Sequence, residues 1–152
     1  MSGGGGLFVR RTEGAVHRTP FGDALRWIAG GEATRAGAGA GFSVQERVAP
    51  PGSRSFPHVH HHFIEAFYVL DGAFDFEVGG EQFAAAEGAF VLAPRGVSHA
   101  WRNAGEVPAK ALVFFTPSAD ARYFEELDAV MNEPGDPDPA RLQALAEQYR
   151  WT

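Results

Sequence analysis

The sequence predicts an all-β protein, a sandwich or barrel of short antiparallel strands followed by two short C-terminal α-helices. Three observations carry that expectation. Apolar and polar residues alternate through short runs between Phe42 and Phe115, as in Phe74, Phe76 and Val78 against Asp75 and Glu77. Two-residue hairpin signals, Asp71-Gly72 and Gly79-Gly80, separate those runs. After Pro117 the apolar spacing changes to that of a helix.

In chain order, the Gly3–Gly6 run predicts a flexible tail over residues 1–6. Strands are expected at Leu7–Arg11 and Leu25–Ala29. The stretch from Gly30 to Gly41 is too poor in side chains to pack and reads as a surface loop, with a mobile flap as the alternative. Strands follow at Phe42–Val48, Glu65–Leu70, Ala73–Val78, Glu81–Ala85, Ala89–Ala93, Ser98–Asn103 and Lys110–Thr116. Pro94-Arg95-Gly96 and Gly105–Pro108 supply turns between them.

Ser118 is a candidate cap for a helix in which Phe124, Leu127 and Met131 share a face. Asn132–Pro137 break it. Asp138 can cap a second helix with Pro139 at its first position, where a missing N–H is harmless. Leu142, Leu145, Ala146 and Tyr149 form its apolar stripe. The expected organisation is a tail over 1–6, one barrel over 7–116, and a helical extension over 117–152 packed on the barrel or on a partner subunit.

Composition excludes several function classes. At 152 residues one domain can bury a core without covalent staples. A net charge of −6 and a single lysine, Lys110, argue against nucleic acid as a partner. The absence of cysteine removes disulfides and every thiolate metal site, so any metal must bind through nitrogen and oxygen. No apolar run approaches the length of a membrane span and no leader pattern opens the chain, so a cytoplasmic protein is expected.

Three histidines and a glutamate stand at spacings that suit a metal. Gly52, His58, His60, Glu65 and Gly72 form one motif; Gly88, Pro94, Gly96, His99 and Asn103 form another, fifteen residues later. On an extended segment His58 and His60 project to one side, ~7 Å apart along the chain. Three imidazoles and a carboxylate suit one divalent transition metal (Fe, Mn, Ni, Co, Cu or Zn) rather than Mg or Ca, which prefer oxygen. In His60-His61-His62 a second same-face pair exists, but it leaves only two residues before Glu65 and spares His58. His61 is expected to face away, His62 to sit behind the ligands or at the cavity mouth, and His17 to be a surface histidine.

These two motifs resemble those of the cupin superfamily, and all ten specified positions match. The resemblance implies a double-stranded β-helix, or jelly-roll barrel, of the single-domain cupin 2 type. It implies His58, His60, Glu65 and His99 as the ligands, with the glycines and proline shaping turns. A homodimer, paired through barrel edges and an N-terminal strand such as Leu7–Arg11, is a family-level expectation.

Alternation from Glu65 and from His99 places Phe67 and Trp101 on the ligand face, and facing strands can add Phe74, Phe76, Phe90 and Leu92. On Phe42–Val48 either Glu46 or the Gln45/Arg47 pair looks inward; the sequence does not choose. The expected cavity is aromatic, suited to a small aromatic or apolar substrate, with His62 and Gln45 as candidate polar contacts. In HHFIEAFYVLDGAFDFEVGGE and PRGVSHAWRN the chain is similar to the quercetin-dioxygenase-like cupins. That likeness implies oxidation of an aromatic, enolic substrate by dioxygen, with Glu65 as the catalytic proton acceptor. A metal-dependent cyclase or isomerase of polyketide-like carbonyl compounds, and a non-catalytic binding module, are the alternatives.

Overall fold

The structure is a computed structural model that describes residues 8–30 and 41–151. Among the described residues, nine strands form two sheets. β1 (Val16–Arg18), β2 (Ala24–Ala29), β3 (Ser43–Ala49), β4 (Ile64–Asp71), β7 (Phe90–Ala93) and β9 (Ala109–Thr116) make the larger one, in the order β1-β2-β3-β9-β4-β7. β5 (Ala73–Val78), β6 (Glu81–Ala86) and β8 (His99–Arg102) make the smaller, in the order β6-β5-β8. Every named pairing is antiparallel. The arrangement is the jelly roll expected, with α1 (Arg122–Met131) and α2 (Pro139–Gln148) after it.

Alternation sets the core. On β9, Ala109, Ala111, Val113 and Phe115 point inward and are almost wholly buried, and on β4 Glu65, Phe67 and Val69 do the same. Phe67 packs on Phe76, with ring centres 4.8 Å apart, and Phe74 meets Trp101 edge to face at 5.9 Å. Each aromatic buried this way stabilises the fold by roughly 1.5–3 kcal/mol. The β4–β5 hairpin turns on Gly72, at φ +71°, where a Cβ would press on Ala109 at 3.0 Å. Only glycine meets both demands.

The helices complete the same core. Phe124, Leu127 and Val130 of α1 are buried, as is Leu145 of α2. Asp138 caps α2, accepting from Ala140 N at 2.9 Å, as the sequence indicates. Ser118 does not cap α1. That helix starts after Ala121 without a side-chain cap, while the Ser43 hydroxyl accepts from Ala119 N and holds the entry segment against β3.

Two N-terminal expectations fail. Residues 8–11 form no strand, and Phe8 is exposed; the paired segment is β1, further on. His17 lies on β1 and is buried, because strand alternation outweighs its polar neighbours. The expected loop or flap at Gly30–Gly41 falls, between its end residues, outside the described residues. No helix among the described residues is long and apolar enough to cross a membrane.

Candidate metal centre

Three segments distant in sequence bring the histidines and the glutamate together. His58 and His99 form an isolated antiparallel bridge, with backbone N–H···O distances of 3.0 and 2.9 Å. Gly96, at φ +73°, turns the chain into β8 and donates its N–H to His60 O at 2.9 Å. Glu65 stands near the start of β4, paired on one side with Phe115 and on the other with Ala93. Asn103 ties the second motif down: its Nδ2 donates to Ala49 O and Val107 O, both at 2.8 Å, and its Oδ1 accepts from Gly105 N.

The candidate ligand atoms of His58, His60, Glu65 and His99 all lie within 4.8 Å of one another. Glu65 Oε2 is 3.8 Å from His58 Nε2, 3.1 Å from His60 Nε2 and 3.0 Å from His99 Nε2. The opposite ring nitrogens all face backbone carbonyls. His58 Nδ1 is 2.8 Å from Phe56 O, His60 Nδ1 2.9 Å from Trp151 O, and His99 Nδ1 3.1 Å from Val97 O. A carbonyl only accepts, so each Nδ1 carries the proton. In the neutral ring, Nε2 then presents a lone pair toward the carboxylate. Four acceptors converging on one buried point repel one another unless a proton or a cation sits among them. The donor set therefore fits a divalent transition metal, and the carbonyls supply the outer hydrogen bonds that orient such ligands.

Electrostatics follow from this crowding. Burial pushes the Glu65 carboxyl up, but the three imidazoles together outweigh it and hold the group well below the usual carboxylate range. Burial pushes His60 down, only partly opposed by Glu65. At His99 burial acts downward too, but Glu65 and the Val97 carbonyl raise it on balance.

Beside the imidazoles lies a cavity of about 190 Å³. Its walls are Phe21, Phe56, Trp101, Tyr123, Phe124 and Trp151, and Arg47 and Ser55 add polar groups. Of the expected pocket residues, Trp101 lines it. Phe67, Phe74 and Phe76 instead fill the barrel core. Gln45 points inward with Arg47, which settles the open face of β3, while Glu46 pairs with Arg26 at 3.6 Å. Gln45 is wholly buried and does not line this cavity.

Phe90 and His62 are corrections. Phe90 is 61% exposed, as is much of Leu92, because inward positions on β7 belong to Val91 and Ala93. His62 is exposed and meets Arg150, its Nδ1 3.1 Å from an Arg150 Nη. The cavity residues that the sequence reading missed are the aromatic Phe21, Phe56, Tyr123, Phe124 and Trp151, with Ser55 and Ala146. Phe56, two positions before His58, shares its parity and could have been found; the other aromatics come from segments with no motif.

Comparison with known proteins agrees with this architecture. The Cupin domain family model matches residues 45–115. The chain is 35% identical over 86 residues to Protein SchB of Streptomyces halstedii, covering 57% of this chain and 62% of that protein, less than two thirds of its length. The structure of KdgF from Halomonas sp. superposes with a TM-score of 0.64 at 21% identity, covering 74% of this chain and 94% of that one. An RmlC-like cupin from Shewanella frigidimarina gives 0.61 at 16% identity, covering 74% and 92%. Residues 45–115 thus match the Cupin domain family, and the chain shares the cupin jelly-roll fold.

Proposed function

We propose that the protein is a mononuclear-metal cupin enzyme in which His58, His60, Glu65 and His99 hold one divalent transition metal, and that it oxidises a small aromatic or enolic substrate with dioxygen. The observation that carries this reading is the convergence of three Nδ1-anchored imidazoles on one buried carboxylate beside an aromatic cavity. A metal bound there supplies Lewis acidity and, if redox-active, a route for electrons between substrate and dioxygen.

The chain's own residues do the rest. The aromatic walls take a flat ring and exclude water. At about 190 Å³ the cavity is near the ~150 Å³ apolar cavity that holds benzene, so it suits one ring with small substituents, and larger substrates must extend through the mouth. Glu65 lines the cavity as a carboxylate ionised across the neutral range, and it is the group placed to receive the proton of an enol or phenol hydroxyl. The chain is also expected to pair as a homodimer. Tyr68, Phe90 and Leu92 lie side by side and exposed on the outer face of β4 and β7, where a partner would cover them. Sedimentation velocity measures that directly.

One observation favours a second reading, a cyclase or isomerase that needs no oxygen. Burial pushes the Tyr123 phenol up, so it stays protonated in the cavity wall, and with Glu65 it gives the site both a proton donor and an acceptor. Elemental analysis of untagged wild type and His99→Ala, followed by oxygen-uptake assays with enolic aromatic substrates, separates the readings. Redox-active metal lost in the variant, with uptake in the wild type, supports the oxygenase. Zinc with turnover under anaerobic conditions favours the cyclase or isomerase. No metal in either protein, even after soaking, rejects both.

A further inference from the structure

The cavity contains a buried cation with unfilled hydrogen bonds. Arg47 is 6% exposed and lines it from the inward face of β3. Its Cζ lies 4.7 Å from the centre of the Trp101 ring. Its Nε is 3.3 Å from Asp23 Oδ2, but the two are too poorly aligned for a hydrogen bond, so both atoms are left without one. The other oxygen of Asp23 is taken by the Thr19 hydroxyl. Among the described residues, none accepts a hydrogen bond from the Arg47 guanidinium.

The surroundings repeat the pattern. The buried side-chain polar atoms without a partner, among the described residues, belong to His17, Asp23, Trp27, Gln45 and Arg47. All sit on β1, β2 and β3 or just before β2, the wall that carries Arg47. Native interiors leave few such groups unpaired, and a cluster of them on neighbouring strands behind a cavity signals a partner that the described residues do not supply. Arg47 is the member of that cluster that reaches the cavity lining, and its flat fork matches a planar oxyanion.

The geometry points to Arg47 as the specificity-determining residue of this cavity: it binds the carboxylate, or an equivalent planar oxyanion, of a one-ring aromatic acid. The Nη1 and Nη2 end of the fork meets the anion, since Nε is turned toward Asp23. The ring lies against Trp101 and the other aromatic walls. Charge agrees with a monoanion. Arg47 and Asp23 cancel, while three neutral imidazoles, Glu65 and a divalent ion leave one positive charge for the ligand to neutralise. Only that last point rests on the metal reading above.

The test uses benzoate and its neutral isostere benzamide, titrated calorimetrically into the full chain, metal-free and metal-loaded. The wild type is expected to bind benzoate at least about tenfold tighter than benzamide. Arg47→Lys keeps the charge but loses the fork, and should erase most of that preference with an unchanged melting temperature. Arg47→Met combined with Asp23→Asn removes the pair without stranding a buried charge, and should lose benzoate binding while remaining folded. His99→Ala, which should lose metal and its positive charge, should weaken the preference but keep its dependence on Arg47. Equal affinities for acid and amide, no binding of either, or a preference that survives both Arg47 variants overturns the assignment. A preference that depends on Arg47 in a protein that takes up no metal would reject the metal reading and leave this one standing.

Discussion

The backbone carbonyl of Trp151 accepts a hydrogen bond from Nδ1 of His60 at 2.9 Å, across 91 positions of the chain. The contact joins the segment after α2 to the candidate metal centre. Arg150, at φ +59°, turns the chain there, and Trp151 N then bonds back to Ala146 O at 2.8 Å. The indole packs against Phe63, Phe115, Tyr123 and Phe124, with ring centres 4.8–5.1 Å away, and its Nε1 donates to Asp120 O. The helical extension thus fixes the tautomer of one candidate ligand and closes one wall of the cavity.

Trp151→Ala tests that role. Removing a buried indole should destabilise the fold by about 3–5 kcal/mol. The loosened segment should also free His60 Nδ1 and weaken metal binding by about tenfold or more. Trp151→Phe should keep most of both. Thermal melts with and without chelator, alongside metal titration, check this; a Trp151→Ala protein with wild-type metal affinity would make the contact purely structural.

Glu65→Gln separates charge from shape. In the metal-free protein the glutamine amide can donate toward the Nε2 lone pairs that the carboxylate only repels when the imidazoles are neutral. The variant should therefore fold, with a melting temperature below that of the metal-free wild type because the depressed carboxylate's contribution is lost. It should nonetheless lose metal, because a neutral amide is a poorer ligand for a divalent ion. Metal content per chain and melting temperature, measured together, decide it. Full metal occupancy in the variant would remove Glu65 from the ligand set.

Acidity should act on metal binding with a definite sign. Metal requires Nε2 of all three imidazoles unprotonated, and His99 holds its proton above the ordinary 6.5. Apparent affinity should rise as pH rises through and above 6.5, with protons released on binding. In the metal-free protein Glu65 is depressed below 4.5, so its contribution to stability is present above that value and is lost as pH falls through the lowered one. Titrations at several pH values, in buffers of different ionisation enthalpy, measure the proton release; pH-independent affinity would contradict the donor set.

What the sequence made legible was local. Strand alternation and the hairpin glycines put β4, β5 and β6 within a residue of their observed bounds, because period two and positive φ are properties of neighbouring residues. The meeting of His58, His60, Glu65 and His99 is long-range, and it was legible only through the resemblance of the two motifs to those of the cupins. The cavity walls were not legible. Tyr123, Phe124 and Trp151 reach it from helices and a turn whose docking is a long-range fact. His17 misled because three-residue β1 is too short to show a period. Phe90 misled because β7 has a large aromatic on its outer face, opposite Tyr68.

Phe67 and Phe90 are the same residue type on paired strands, β4 and β7, and both were expected inside. Phe67 is buried against Phe76, whereas Phe90 is largely exposed. Phe67→Ala should cost about 3–5 kcal/mol, on the order of 10 °C in melting temperature for a chain this size. Phe90→Ala should change the stability of a monomer by no more than about 0.5 kcal/mol. Denaturant unfolding at two protein concentrations makes the test complete. A Phe90→Ala loss that appears only at the higher concentration would mean the residue is buried between two copies. A large loss at both would mean β7 faces the other way.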